Sequence, residues 1–287
     1  MSFFLPQPSV PDLPPDIDLS SRTALITGPT SGIGLATAHA LLSANLTTLI
    51  LGARSEPKAN ALRHELLAAY PHAKIEVLAL DTSRWESVQA FCAAVAGREH
   101  PGLDMAFLNA GVQDFGKQRA ATGHDRMLQV NYLSNVVLAL GLMPLLASTA
   151  AATGRPSRLT WTSSRLYDRN SLGGLAREEE PLFAQIDAKN PGMPTGYINS
   201  KFLGLLFCAQ VAGRVPAGSV VVNSFCPGTV ETNFESEMPA PIRWVIGGIK
   251  KVTGRSAEVG ARIAVNAGVV AGEESHGGLL TDMNLSP

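Results

Sequence analysis

The chain has 287 residues and a formal net charge of −1, from 23 Lys and Arg against 24 Asp and Glu. Its 16% charged and 45% hydrophobic residues exclude global disorder and favour one large α/β domain over two small ones. The near-neutral balance argues against a protein that holds nucleic acid by bulk charge. Too few cysteines are present for a disulfide framework, which predicts a reducing, cytoplasmic location: Cys92, Cys208 and Cys226.

The N-terminal segment has neither the basic region nor the long apolar core of a signal peptide. Five prolines fall within the first 15 residues, and they predict an extended arm over residues 1–20. The longest apolar run, 136–147, is too short to cross a bilayer and is interrupted by Pro144. The sequence therefore predicts no membrane span.

Short apolar runs alternate with longer segments rich in Ala and Leu. The short runs predict buried strands at 23–27, 47–53, 74–80, 103–108, 158–162, 219–225 and around 279–280. The longer segments predict helices at 33–44, 57–70, 85–96, 125–147, 196–214 and 257–270. This alternation predicts a doubly wound, mostly parallel α/β sheet of about seven strands with helices on both faces. Ligands bind such sheets beyond the carboxyl ends of the strands.

A glycine-rich loop directly follows the first predicted strand, with the sequence Thr27-Gly28-Pro29-Thr30-Ser31-Gly32-Ile33-Gly34. Glycine allows a sharp turn and a close approach to a pyrophosphate, and the next helix offers free N–H groups and a positive dipole end. The loop is therefore a candidate phosphate site, with a plain strand–helix turn as the alternative. The candidate binding residues in it are Gly28, Thr30, Ser31, Gly32, Ile33 and Gly34. Pro29 removes one possible donor.

Six motifs occur in the order typical of the short-chain dehydrogenase/reductase family, which the chain resembles over about residues 22–282. They are the glycine loop, Asn109-Ala110-Gly111, Asn131, Ser163-Ser164, Tyr197-x-x-x-Lys201, and Pro227-Gly228-Thr229-Val230-Glu231-Thr232. The resemblance implies a Rossmann fold in one domain over 21–287. It also implies an oxidoreductase that transfers hydride between a nicotinamide and a carbonyl or secondary alcohol. It is nearest to the retinol-dehydrogenase-like and fungal secondary-metabolism-like members.

The resemblance implies the catalytic set. Tyr197 is the acid/base, Ser164 orients the substrate oxygen, and Lys201 also holds the nicotinamide ribose. A free phenol has a pKa of about 10, and a lysine at i+4 shares its helix face and favours the phenolate. Asn131 resembles the asparagine that supports a water between Lys201 and solvent, or it is structural. A contribution of Ser163 stays open.

The resemblance also extends the cofactor site to Tyr197, Lys201, Thr82, Asn109, Ala110, Gly111, Pro227, Gly228, Val230 and Thr232. An NAD site commonly has an acid at the end of the second strand, but Ala53 stands there and Arg54 follows. A guanidinium pairs well with a 2′-phosphate, which predicts NADP(H) over a merely solvated arginine. Asp81 resembles an adenine-binding aspartate, although Asp81-Thr82-Ser83 before a helix also suits a turn or a helix cap.

Two segments depart from a plain core. There are 32 residues between Ser164 and Tyr197, which predicts an insertion over 165–195 that caps the substrate pocket or alters assembly. The segment 231–252 resembles the mobile substrate lid. Its apolar residues suit a bulky apolar small molecule, although they also suit packing on the core.

The six histidines show neither His-x-x-x-His nor Cys-x-x-Cys pairing, so no metal site is predicted. The resemblance suggests a homodimer or homotetramer. Two other functions stay possible on the same fold: a cofactor-binding sensor or scaffold, and a non-redox lyase or isomerase.

Overall fold

The computed structural model describes residues 7–99, 102–174, 180–189, 191–231 and 254–286. All the predicted strands form: β1 (Thr23–Thr27), β2 (Thr48–Ala53), β3 (Lys74–Ala79), β4 (Met105–Leu108), β5 (Ser157–Thr162), β6 (Val220–Cys226) and β7 (Leu279–Thr281). The helices are α1 (Gly32–Ser43), α2 (Glu56–Ala69), α3 (Trp85–Ala96), α4 (Arg126–Leu128), α5 (Ser134–Thr153), α6 (Leu182–Lys189), α7 (Thr195–Ala212) and α8 (Ala257–Val265). The sequence did not indicate α6.

The strands form a single sheet in the order β3-β2-β1-β4-β5-β6-β7-β8. Every neighbouring pair is parallel except β7 with β8 (Asn284–Leu285), a short antiparallel strand that the sequence did not predict. The predicted doubly wound sheet of about seven strands is thus confirmed, with one strand more. The strand order reverses between β1 and β4, so a ligand crevice is expected at the carboxyl ends of these two strands.

Alternating side chains of the central strands enter two separate hydrophobic cores. Leu25 of β1 belongs to the core that α3, α5 and α7 cover, while its neighbours Ala24 and Ile26 belong to the core under α1 and α2. Ile50 and Leu51 of β2 divide in the same way. Because successive side chains of a strand point to opposite faces, this division shows that helices cover both faces of the sheet.

The longest helical region differs from its prediction in length and in regularity. The sequence predicts a helix over 125–147, but α4, a π-helical segment (Gln129–Leu133) and α5 continue the helix to Thr153. Pro144 lies inside α5, and the helix ends where Gly154 adopts a left-handed conformation with φ of 66°. The Ala-rich turns after Pro144 favour helix, and glycine is the usual residue at such a C-terminal cap.

The stretch Arg126–Thr153 has 28 residues, and among the described residues it alone reaches the length and apolarity of a membrane span. This helical stretch is longer than the apolar run 136–147, which by itself is too short to cross a bilayer. About a third of its apolar window, 33%, is buried, and Leu138, Leu142 and Leu146 enter the core. A single helix of this kind is weak evidence for a span, because core helices share these properties.

The segment predicted as an insertion packs back onto neighbouring helices. Leu172 and Ile186 form a small core with Leu128 and Leu203, so the insertion packs on α4 and α7. The Asn199 Oδ1 atom accepts a hydrogen bond of 3.0 Å from the Ser171 backbone. Residues 175–179 and 190 of the insertion lie outside the described residues, as do residues 232–252 of the predicted lid.

The arm lies along the domain between its described start at residue 7 and β1. Ile17 packs beside the core under α1 and α2, and Leu19 is fully buried in it. Val10 instead packs against the cluster around Phe225 of β6 and α8. The arm thus contacts the domain at two places, the core under α1 and α2 and the cluster at the end of β6.

Candidate active site

The glycine loop and the end of β4 fit together closely. The Asn109 Nδ2 atom donates to the carbonyl oxygens of Thr27 and Gly28, each at 3.1 Å. Gly28 has φ of 66°, a backbone conformation that favours glycine. A Cβ at Gly34 would meet the Gly28 carbonyl oxygen and stand 2.7 Å from Asn109 Nδ2. The two motifs therefore form one rigid corner at the point where the strand order reverses.

Thr27 is a site residue that the sequence reasoning did not single out. Its Oγ1 atom accepts backbone hydrogen bonds from Asn109 at 3.0 Å and from Ala110 at 2.9 Å. The side chain is fully buried, so these bonds hold the ends of β1 and β4 at a fixed distance. A polar residue at the end of an otherwise apolar strand is the signal that identifies it.

A buried lysine lies beside a tyrosine on α7. The Lys201 Nζ atom is 5.7 Å from the centre of the Tyr197 ring, and it donates to the Thr162 carbonyl oxygen at 2.7 Å. Burial lowers the pKa of Lys201 to about 8, because removing water disfavours the ammonium. Cys226 acts in the opposite direction on that pKa, with a smaller effect. The predicted pair therefore shares one helix face.

The π-helical segment (Gln129–Leu133) positions Asn131 against the end of β4. Its Oδ1 atom accepts a bond of 2.7 Å from the Val112 backbone, and its Nδ2 atom donates to Val112 O and to Ser200 Oγ. A Cβ at Gly111 would lie 3.2 Å from Asn131 Oδ1 and 3.6 Å from Lys201 Nζ. Asn131, Gly111 and Lys201 thus meet, and the side chain of Asn131 holds the chain that follows β4.

The two serines after β5 have different surroundings. The Ser164 Oγ atom accepts a hydrogen bond of 3.3 Å from the Leu166 backbone and caps the 3-10 turn Arg165–Arg169. The Ser163 hydroxyl is buried, and within the described residues its Oγ atom has no hydrogen-bond partner. The backbone of Arg165 donates to the Cys226 sulfur at 3.2 Å. Cys226 therefore packs beside this turn.

The candidate adenosine end of the site is more open. Arg54 is exposed at the end of β2. Asp81 follows β3, and its Oδ1 atom accepts from the backbone and the hydroxyl of Ser83 at 2.9 and 2.7 Å. Ser134 donates to the carbonyl oxygen of Thr82 at 2.5 Å. Asp81 therefore forms a turn with Ser83, the alternative to adenine binding that the sequence offered. These contacts are compatible with a role at the adenine.

The last motif closes the site at the end of β6. Pro227, Gly228 and Val230 are described, whereas Thr232 lies outside the described residues. Val230 pairs with Arg255 in a parallel bridge, and the Arg255 backbone donates to the Thr229 carbonyl oxygen at 2.8 Å. Arg255 belongs to none of the sequence motifs, because only the fold brings it close to this loop.

Comparison with known proteins assigns the family. A model described as "short chain dehydrogenase" matches residues 22–155. The short chain dehydrogenase yanD of Aspergillus niger is 37% identical over 289 residues, which cover 98% of this chain and 87% of that protein. The short-chain dehydrogenase/reductase tropG of Talaromyces stipitatus is 36% identical with the same coverage. The chain belongs to the short-chain dehydrogenase/reductase family. The predicted resemblance to fungal members is thereby confirmed.

Solved short-chain dehydrogenase/reductase structures share the fold. A short-chain type dehydrogenase/reductase from Mycobacterium marinum superposes with a TM-score of 0.70 at 19% identity, covering 93% of this chain and 95% of that one. The L-sorbose reductase of Gluconobacter frateurii, solved with NADPH and L-sorbose, gives 0.69 at 20% identity, covering 93% and 96%. These structures show the shared fold, and membership of the family makes this chain an oxidoreductase that uses a nicotinamide cofactor.

The residues of this short-chain dehydrogenase/reductase fit such a cofactor. Ser31 precedes α1 without a side-chain cap bond, and the first turn of α1 contains no acidic residue. The N–H groups and the positive dipole end of α1 therefore suit an anionic phosphate. The missing side chain of Gly34 keeps the adjoining corner with Gly28 and Asn109 compact.

Proposed function

We propose that the enzyme is NADP(H)-dependent and interconverts a carbonyl and a secondary alcohol on a bulky, apolar small molecule of secondary metabolism. The observation that carries the proposal is the buried Lys201 ammonium beside the Tyr197 ring, at the end of the sheet where Ser164 and the glycine loop also lie. A lysine that is buried although burial disfavours its charged form is typical of a functional site.

Tyr197 gives a proton to the substrate oxygen in the reducing direction and accepts it in the oxidising direction. The bound nicotinamide supplies or accepts the hydride. Lys201 favours the phenolate by its charge, and its bond to the Thr162 carbonyl oxygen holds that charge in place. Because its pKa is about 8, Lys201 loses this charge in alkaline solution, so turnover is expected to fall as the pH rises above about 8.

Ser164 is the better candidate for orienting the substrate oxygen. Its Oγ atom already accepts from the Leu166 backbone, so its hydroxyl proton remains free to donate. Negative charge that develops on the substrate oxygen is stabilised by such a donor. Ser163 is more deeply buried, with an exposed fraction of 3% against 9% for Ser164. We therefore assign Ser163 to packing.

The preference for NADP(H) rests on the end of β2. Arg54 is exposed there, and Ala53 is buried where an NAD site commonly has an acid. A guanidinium pairs with phosphate in two parallel hydrogen bonds, so Arg54 suits a 2′-phosphate. The NADPH complex of the L-sorbose reductase is a property of that protein and only supports the idea by analogy.

The test is a screen of aldehydes, ketones and alcohols with NADPH, NADP, NADH and NAD. We expect turnover with the phosphorylated cofactors and a loss of about tenfold or more in kcat/KM for NADPH in Arg54→Asp. The matched control is Arg63→Asp, which changes the net charge equally at an exposed position on α2. A wild type that prefers NADH contradicts the assignment.

We further propose a cytoplasmic homodimer or homotetramer. The exposed leucines Leu140 of α5 and Leu206 of α7, with exposed fractions of 54% and 46%, support it because large apolar side chains at the surface suit an interface. Light scattering of the purified chain distinguishes these assemblies from a monomer.

A further inference from the structure

The arm makes a polar contact with the loop at the end of β6. The Gln7 Nε2 atom donates to the Thr229 carbonyl oxygen at 2.8 Å, and the Thr229 N–H donates to Gln7 Oε1 at 2.9 Å. One side-chain amide thus occupies both polar groups of one backbone residue, 222 positions away in the sequence. This pairing is as specific as that between two strands, because donor and acceptor must both be in register.

The conformation of the loop matches this contact. Gly228 has φ of 78°, which favours glycine, and a Cβ there would collide with the Gln7 amide oxygen. The same Cβ would stand 3.0 Å from an Arg255 nitrogen. Gly228 therefore leaves room for Gln7 and Arg255 to reach the backbone of the loop.

Arg255 connects the arm to the rest of the site. Its guanidinium donates to the Pro8 carbonyl oxygen at 2.7 Å and pairs with Asp282 at 2.5 Å. Asp282 also pairs with Arg165 at 3.1 Å, and Arg165 follows Ser164 in the chain. Arg255 is 7% exposed, so water screens its pairing weakly. This network joins the arm, the loop after β6 and the turn after β5.

Gln7 contacts a different part of the domain from the apolar residues of the arm. Leu13, Ile17 and Leu19 pack with the core under α1 and α2, and they attach the arm to the domain. Gln7 instead bonds the backbone of a loop between two residues that the cofactor site is proposed to use, Gly228 and Val230. Its contact therefore bears on the shape of the site more than on the attachment of the arm.

We propose that Gln7 is a positioning residue for the nicotinamide end of the cofactor site. It holds the Thr229 backbone so that the loop from Pro227 to Val230 keeps the conformation that receives the nicotinamide. The cofactor then binds a loop that is already ordered, and it does not have to order the loop itself. This inference rests on the proposed function, because that function assigns the loop to the cofactor.

The test compares Gln7→Ala, Gln7→Glu and the wild type in the full-length protein. NADPH affinity is measured by the fluorescence of the bound cofactor, and kcat, KM for NADPH and the thermal midpoint are measured in parallel. Gln7→Ala loses both hydrogen bonds, so we expect Kd and KM to rise about tenfold while kcat at saturation stays within about twofold. Gln7→Glu keeps the acceptor for the Thr229 N–H but places a carboxylate oxygen against the Thr229 carbonyl oxygen, so we expect Kd to rise at least as much as in Gln7→Ala.

The matched control is Asp12→Asn. Asp12 lies in the same arm and pairs with Arg262 of α8, and among the described residues it makes no hydrogen bond or ion pair with the loop from Pro227 to Val230. We expect its Kd for NADPH to equal that of the wild type. If Gln7→Ala lowers the thermal midpoint and leaves Kd and KM unchanged, the contact only attaches the arm and the inference is wrong.

The outcome for the wild type separates this inference from the function on which it rests. A wild type that binds neither nicotinamide cofactor overturns the proposed function and the inference with it. A wild type that binds NADPH, with Gln7→Ala and Gln7→Glu binding equally well, overturns the inference alone. If Gln7→Ala does not fold, the rise in Kd for Gln7→Glu decides the question.

Discussion

The two halves of the sheet form the site by different physical means. From β1 to β4 the candidate cofactor site consists of backbone groups, glycines and the exposed Arg54. Beyond β4 along the chain, the candidate catalytic site consists of buried polar side chains, above all Lys201 and Asn131. Binding an anionic cofactor needs oriented N–H groups and shape, whereas tuning an acid requires a charge removed from water. Changes at the glycine loop should therefore affect binding, and changes at Tyr197 and Lys201 should affect turnover.

The largest expected effect separates the halves most clearly. Tyr197→Phe removes the proposed acid/base, so we expect kcat to fall by about 10²- to 10⁴-fold while Kd for NADPH stays within about twofold. Steady-state kinetics and cofactor fluorescence measure the two quantities. Tyr70→Phe at the end of α2 is the control, with kcat and Kd both unchanged. Near-normal turnover in Tyr197→Phe would remove the catalytic role from the second half.

The next effect concerns the buried charge. Lys201 releases its proton near pH 8 in the folded protein, but near 10.5 in the unfolded chain. Between these values the unfolded chain binds more protons, so the wild type gains stability as the pH rises. Lys201→Met lacks this titration. We therefore expect the stability of the variant relative to the wild type to be highest below pH 8 and to fall by about 3 kcal/mol by pH 10.5.

Chemical unfolding at several pH values measures this difference for Lys201→Met. The control is Lys58→Met, an exposed position on α2, for which we expect no comparable change with pH. Turnover should fall strongly in Lys201→Met below about pH 8, because the phenolate loses its neighbouring charge, and the difference should shrink above pH 8, where the wild-type lysine is itself neutral. A stability difference that does not vary with pH would contradict a desolvated ammonium at this position.

The smallest effect tests the first half. Gly34→Ala places a Cβ against the Gly28 carbonyl oxygen and Asn109 Nδ2, so the corner of the glycine loop must move. Such overpacking costs about 1–3 kcal/mol, which we expect as a rise of about 10- to 100-fold in Kd for NADPH. The effect on kcat at saturation should be small. Gly173→Ala is the control, since nothing lies within 4 Å of a Cβ there.

The outcome of Gly34→Ala also bears on the comparison between the halves. An unchanged Kd with a reduced kcat would mean that the glycine loop acts on turnover, and the division of labour would then be wrong. If Kd and kcat are both unchanged, the backbone of Gly28 and the side chain of Asn109 can move to accept the added Cβ. The close fit with Asn109 would then have no bearing on cofactor binding.

Regular elements were predicted well where local sequence decides them. α3 was predicted with its exact bounds, and β1 likewise, because a short apolar run or a clear helical pattern leaves few alternatives. The end of α5 was predicted at residue 147, where the apolar run ends, whereas the helix continues to Thr153 and ends at Gly154. β8 was missed because two exposed residues form a strand only when β7 pairs with them.

The sequence by itself determined the fold class, the family and the candidate motif residues from Gly28 to Val230. Strand–helix alternation and motif spacing carry that information, because both are local along the chain. Only the tertiary structure decided that Lys201 is desolvated and that Gln7 reaches Thr229 across 222 positions. The physical reason is that burial and long-range hydrogen bonds depend on which elements pack together, and no local pattern of residues records that packing.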